Sequence, residues 1–228
     1  MGQLTSRQEI LSMEVSDPRM RNWLCANMAI RESSKAISVY LHRNIAEIHK
    51  RIHQSISSSS LCRANCSKLE GEQGLNRWCP TCERWAMEIQ ALCETAYREK
   101  VKFSHLNSSQ WPVNPYEVAR AFIPKAHRLY YKAAEFHEDL RFCLSFIENC
   151  KDFSVPKSVC ERVWQCRGRV RRKNVRMRLS HHEMEETISS LLELLSFLEL
   201  GDDSAVVNKL ETLLRGDLED NNEGCLIM

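Results

Sequence analysis

Four cysteines, Cys62, Cys66, Cys79 and Cys82, stand in a C-x3-C-x12-C-x2-C arrangement. Zinc favours a tetrahedron of thiolates, and two short-spaced pairs joined by a flexible loop can close one. Cys79-Pro80-Thr81-Cys82 is the stronger half, because such a turn can wrap a metal with backbone N–H groups. The three-residue spacer of the first half is less usual, which admits His105 as a substitute ligand. A closed four-sulfur site is structural and leaves no coordination position for catalysis. Two blander readings stand beside zinc: reduced thiols in a loop, or a redox pair at the C-x2-C. The redox reading needs strands around the motif, and no segment of this chain reads as a strand.

A second constellation is basic. Arg167, Arg169, Arg171, Arg172, Lys173, Arg176 and Arg178 put seven positive charges within twelve residues. Wound as one helix, they make a face able to hold RNA phosphates. The plainer reading is a solvated face partly neutralised by Glu183, Glu185 and Glu186. Within the stretch, Arg176 and His181 are spaced R-x4-H. A histidine can act as general acid/base on a ribose 2′-OH while an arginine stabilises the scissile phosphate.

That spacing, on the C-terminal part of a helical chain, resembles the signature of HEPN domains. These are four- or five-helix bundles, many of them metal-independent endoribonucleases that dimerise to form one cleft. The resemblance implies Arg176 and His181 as catalytic residues and a homodimer as the active form. Met177 departs from the pattern, which usually has a polar residue after the arginine, and this favours an adaptor over a nuclease. Further residues widen the likeness. Trp23, the run from Cys79 to Trp85, and Trp111-Pro112-Val113 with Glu117-Val118-Ala119-Arg120-Ala121-Phe122-Ile123-Pro124 resemble an uncharacterised X-chromosome open-reading-frame family. That family shares a Cys-rich segment, a "WPV…EVAKAFMP" block and a HEPN-like region, over roughly residues 10–200 here. It has no established activity, so the resemblance implies fold more than function. For Trp111, Val118, Phe122 and Ile123 themselves, plain core packing is the expectation. A two-zinc RING is excluded, because the cysteine and histidine spacing supplies one four-ligand set.

The two ends carry a third chemistry. Met1-Gly2-Gln3-Leu4-Thr5-Ser6 fits the N-myristoylation pattern, with Gly2 the acceptor, and Cys225-Leu226-Ile227-Met228 is a C-a-a-X box whose final Met favours farnesyl. One lipid anchors marginally and two hold stably. The expected location is therefore the cytoplasmic face of a membrane, reached as a peripheral protein.

The elements that must position these groups follow from composition and period. The chain has 228 residues, 43% hydrophobic and 27% charged, with a net charge of +2. That balance excludes wholesale disorder and a uniformly basic nucleic-acid binder. Only 7 Gly and 6 Pro argue against a turn-dense β-sandwich, and 11 cysteines, an odd count behind a polar, charged N-terminus, argue for reduced thiols in the cytosol. No apolar run approaches the roughly 18 residues of a membrane span. Cys25, Cys93, Cys143, Cys150, Cys160 and Cys166 fall in helical patterns, where a thiol behaves as a small hydrophobe.

Period 3.6 predicts one long helix or two abutting ones over 18–56 behind Asp17 and Pro18, a helix over 83–100, a short one from 116 to Pro124, and a long one over 125–149. Further helices are predicted over 157–179, over 181–200 behind a Ser180/Glu183 capping box and stopped by Gly201, and over 204–214. The expected architecture is all-α: an N-terminal region over 18–124 with a Cys-rich insertion at 61–82, and a HEPN-like bundle over 125–215. Residues 1–17 form the N-terminus and 216–228 an acidic tail. The leading functional expectation is a non-catalytic, zinc-stapled, lipid-tethered adaptor whose protein partners the sequence does not name. The alternative is an RNA-binding protein or endoribonuclease.

Overall fold

The computed structural model describes residues 17–56, 62, 64–69, 78–99, 101–124, 139–200 and 205–215. Among them every regular element is helical, and the one extended pairing is an isolated antiparallel bridge between Cys93 and Cys150. The α-helices are α1 (Pro18–Ser55), α2 (Pro80–Leu92), α3 (Thr95–Arg98), α4 (Pro115–Ala119), α5 (Leu140–Asn149), α6 (Lys157–Arg172), α7 (His181–Phe197) and α8 (Ala205–Arg215). Short 3₁₀ turns occupy Cys66–Leu69, Ser108–Gln110 and Arg120–Phe122. The contacts divide into two compact units, one made of Met1–Ser33 with Lys157–Met228, the other of Ser34–Pro156. These limits do not coincide with the sequence-based division at residue 124.

In the first unit, α1 starts as expected: the Asp17 carboxylate accepts the Arg19 N–H (2.9 Å), and Pro18 takes the first helical position. Helices α6 and α7 pack together, and α7 packs on α8. Val159, Cys160, Val163, Cys166 and Val170 of α6 meet a buried set on α7 that includes Met184, Ile188, Leu191, Leu194 and Leu195. Ion pairs Arg162–Glu193, Arg169–Glu186 and Lys173–Glu183 fix an antiparallel register, since the numbers rise on α6 as they fall on α7. Trp23 is buried here, its indole N–H donating to the Val170 carbonyl (3.2 Å).

Three helix ends differ from the periodic reading. Helix α6 stops at Arg172, not near Leu179, because residues 173–177 turn and Met177 takes φ +46°. A non-glycine residue held there costs roughly 1–2 kcal/mol, and the Leu179 N–H bond to the Arg19 carbonyl of α1 (2.9 Å) fixes the chain beyond it. Helix α7 ends at Phe197 by a Schellman motif: the Leu200 N–H reaches the Leu195 carbonyl and the Glu199 N–H reaches Ser196. Glu199, at φ +53°, takes the left-handed place, and Gly201 lies outside the described residues. Helix α5 begins at Leu140 behind Asp139, whose extended backbone (ψ 111°) rules out one continuous helix across that point. The predicted segment 125–138 lies outside the described residues.

In the second unit, α2 and α3 replace the single helix expected over 83–100. The break falls at Cys93 and Glu94, where the Glu94 N–H donates to the Asn149 carbonyl and the Lys151 N–H to Leu92, both at 2.9 Å. Trp111, Val118, Phe122 and Ile123 are buried, as core packing requires. The same block also anchors its surroundings through polar groups. Buried Glu117 accepts the Asn107 N–H (2.7 Å) and pairs with Arg120 (2.8 Å). The Ala121 carbonyl accepts the Tyr97 hydroxyl, and the Phe122 carbonyl accepts the Asn149 amide.

Candidate metal centre

The sulfurs of Cys62, Cys66, Cys79 and Cys82 all lie within 4.8 Å of one another, with Cys62 and Cys66 at 3.7 Å. Sulfurs around a tetrahedral zinc at ordinary bond lengths sit roughly 3.5–4 Å apart. The four cysteines are therefore close enough to hold a metal ion. His105, the substitute that spacing admitted, is exposed and lies outside this group.

Each half of the cluster is built by its local sequence. Cys79 is the N-cap of α2 and its sulfur accepts the Cys82 N–H (3.4 Å), while Pro80 fills the first helical position. Two sulfurs thus sit at the first turn of a thirteen-residue helix, where backbone N–H groups and the helix dipole favour the thiolate. Cys66 opens the 3₁₀ turn Cys66–Leu69, which is tied to the Ser108 turn. The Ser67 N–H donates to the Ser108 hydroxyl (3.0 Å), the Ser67 hydroxyl to the Leu106 carbonyl (2.5 Å), and the Ser108 N–H to the Asn65 side chain (3.1 Å). Beside them Trp78, Phe103 and Trp111 form an aromatic cluster with ring centroids 5.6–5.9 Å apart. Sequence reasoning passed over Asn65, Ser67 and Ser108. Forty-one residues separate Ser67 from Ser108, so no local pattern could have joined them.

The thiols are unequal. Burial pushes the Cys82 thiol well up against a smaller lowering by the Ser108 hydroxyl, and burial also raises Cys62. Burial acts the same way on Cys79, but the Cys82 N–H and the neighbouring sulfurs outweigh it and hold that thiol below its ordinary value. Cys79 is thus the thiol of this group whose surroundings favour the charged form, and a bound cation would favour the thiolate at its ligands further. The other described cysteines are buried. Burial pushes Cys143 and Cys150 up to about 12, as suits inert core thiols.

The basic stretch is placed differently from the expected continuous face. Arg169 pairs with Glu186, Lys173 with Glu183 and Arg178 with Asp17 (3.3 Å). Arg171, Arg172 and Arg176 are exposed and have no carboxylate partner among the described residues. His181, on the first turn of α7, is exposed with Nε2 3.2 Å from Glu185. Arg176 lies in the preceding turn. An open pocket of about 160 Å³ on this unit is lined by Trp23, Asn27, Ile30, Arg167, Val170, Arg171 and Asn174. Arg176 and His181 take no part in it. Gly2 and Cys225 lie outside the described residues. No helix among the described residues is long and apolar enough to cross a membrane.

A fold whose regular elements are all helical, with a four-cysteine cluster, is the class the described residues define. The chain belongs to the family described as "Domain of unknown function (DUF4559)", whose model matches residues 14–221. It is similar to the mouse (Mus musculus) "Uncharacterized protein CXorf38 homolog", 23% identical over 226 residues that cover 94% of this chain and 69% of that protein. No solved structure matches.

Proposed function

We propose that this chain is a non-catalytic helical adaptor, stapled by one structural zinc ion and tethered to the cytoplasmic face of a membrane by lipids at Gly2 and Cys225. The observation that carries the zinc is the convergence of four sulfurs from two segments within 4.8 Å of one another. Four thiolates fill a tetrahedral zinc, so the ion serves folding and leaves no position for substrate. It would clamp the Cys66 turn to the first turn of α2 and hold both against the Ser108 segment. The lipid anchors rest on the terminal motifs. The HEPN-like reading of the second half rests on its helices and on the R-x4-H spacing, and RNA cleavage by Arg176 and His181 is the weaker reading. His181 stands beside Glu185 and Met177 occupies the place of a polar residue.

The test is metal analysis together with intact-mass spectrometry on protein made in eukaryotic cells. One zinc per chain is expected, lost in Cys66→Ser, with mass increments at Gly2 and Cys225. Wild type, Gly2→Ala, Cys225→Ser and the double variant are then fractionated, and the double variant should be released from the membrane further than either single variant. Freshly purified protein without zinc overturns the staple. A Cys225→Ser variant that partitions like wild type overturns the C-terminal anchor.

A further inference from the structure

The turn between α6 and α7 combines features that the adaptor reading does not use. Residues 174–178 are all exposed, and at the tip Val175 is 96% and Met177 40% accessible. Met177 is held outward on a left-handed backbone, φ +46°. Arg171, Arg172 and Arg176 flank these two residues in the chain, are exposed, and carry no carboxylate partner among the described residues. Their charged neighbours are already spent. Lys173 meets Glu183, Arg169 meets Glu186, Arg178 meets Asp17, and Glu185 stands beside His181.

The base of the turn is firmly held. The Lys173 carbonyl accepts the N–H groups of both Arg176 (3.1 Å) and Met177 (2.8 Å), and the Leu179 N–H is fastened to Arg19. An exposed apolar tip on a hydrogen-bonded turn, with unpaired guanidiniums on neighbouring residues, matches the chemistry of an anionic lipid surface. Aliphatic side chains enter the headgroup–acyl boundary while cations meet the lipid phosphates and carboxylates. Single-stranded nucleic acid fits less well, because its bases need aromatic or other planar faces to stack on, and residues 171–178 contain no aromatic ring.

We infer that the 173–177 turn, with Arg171 and Arg172 behind it, is a membrane-contacting tip selective for anionic leaflets. The inference deepens the membrane part of the proposed function. It supplies from the folded body the basic contact that the acidic C-terminal tail does not. It needs no lipid on either terminus, so it can fail or hold separately from the anchors.

The experiment uses the full chain made in bacteria, without farnesyl or myristoyl groups, and vesicles of phosphatidylcholine with or without phosphatidylserine. Co-sedimentation should occur only with phosphatidylserine and weaken with added salt. A cation at such a surface is worth a factor of about five in affinity. Replacing Arg171, Arg172 and Arg176 together by Gln should therefore weaken binding about a hundredfold. Val175→Asp with Met177→Asp should weaken it at least tenfold, Val175→Leu should retain it, and Arg43→Glu on the exposed side of α1 should leave it unchanged. All these positions are exposed, and unchanged melting temperatures will confirm intact folding. Equal binding to both vesicle types, or binding unaffected by the two aspartates, overturns the inference. Retention of an RNA oligonucleotide by the three arginines without vesicle binding overturns it too.

Discussion

Replacing Glu183 by Gln tests the junction that sets the register of α6 against α7. The Glu183 carboxylate receives the Lys173 ammonium at 2.6 and 2.7 Å, the Ser180 N–H at 2.9 Å and the Ser180 hydroxyl at 3.0 Å, while its own N–H caps back onto Ser180. Above all the Lys173 bond, reinforced by Ser180 and resisted by partial burial, holds this carboxyl at about 2 against an ordinary 4.5. That difference converts to about 3 kcal/mol as a ceiling. Glu183 is 22% accessible and Lys173 39%, so solvent screening reduces the expected stabilisation to about 1–1.5 kcal/mol. Gln at this position keeps an acceptor for the capping box and removes only the charge.

The sign follows from proton uptake. A depressed folded value means the unfolded chain binds the proton first, so the stabilisation is complete above about 4.5 and disappears as pH falls towards about 2. The assay is amide hydrogen exchange in the first turns of α7, with urea unfolding of the first unit's signals, at steps between pH 7 and pH 2. Wild type should exceed Glu183→Gln by about 1–1.5 kcal/mol at pH 7, and the two should converge at the acid end. A gap that stays constant across this range, or one below about 0.3 kcal/mol at pH 7, refutes the electrostatic account.

Chelation of the cysteine cluster should lower the melting temperature of the second unit and leave that of the first unchanged, read by domain-resolved hydrogen exchange; equal losses in both units would contradict the local clamp. Asn149→Ala removes the buried donor to the Phe122 carbonyl, so denaturant unfolding should show a loss of about 1–3 kcal/mol, and a change under about 0.5 would mean that the carbonyl finds another donor. His49 Nε2 lies 2.7 Å from the Trp111 carbonyl and must donate to it. Burial lowers its pKa, opposed by that bond and aided by His53, so stability should begin to fall as pH drops through about 6.5 and the imidazole becomes charged. A proton titration of His49 centred above 6.5, followed by nuclear magnetic resonance, would contradict this.

The parts of the fold that were legible in the sequence are those settled within one turn of chain. Asp17 with Pro18 and Ser180 with Glu183 announce helix starts because the capping groups sit two and three residues from the N–H groups they satisfy. The cysteine cluster was legible for the same reason, since each short-spaced pair is a local turn. What joins the pairs was not, because Asn65, Ser67 and Ser108 act through hydrogen bonds across some forty residues. The "EVARAFIP" block shows both sides of this limit. Its apolar side chains announce burial, whereas the use of its carbonyls by Tyr97 and Asn149 depends on segments far along the chain.

The basic stretch is the sharpest case. Seven cations in twelve residues promise a uniform positive helix face. Period alone carries the helix to Leu179, yet the Leu179 N–H bonds to Arg19, 160 residues away, and the helix stops at Arg172. Arg169 and Lys173 then meet carboxylates on α7, and Arg178 meets Asp17 at the start of α1. Partner choice of this kind selects which charges a surface keeps. Arg171, Arg172 and Arg176 stay exposed and without a carboxylate partner among the described residues, since Glu183, Glu186 and Glu193 of α7 already pair with Lys173, Arg169 and Arg162. A count of charges along the chain suggests a nucleic-acid face; the proposed lipid contact rests instead on the charges left unpaired after folding, together with exposed Val175 and Met177.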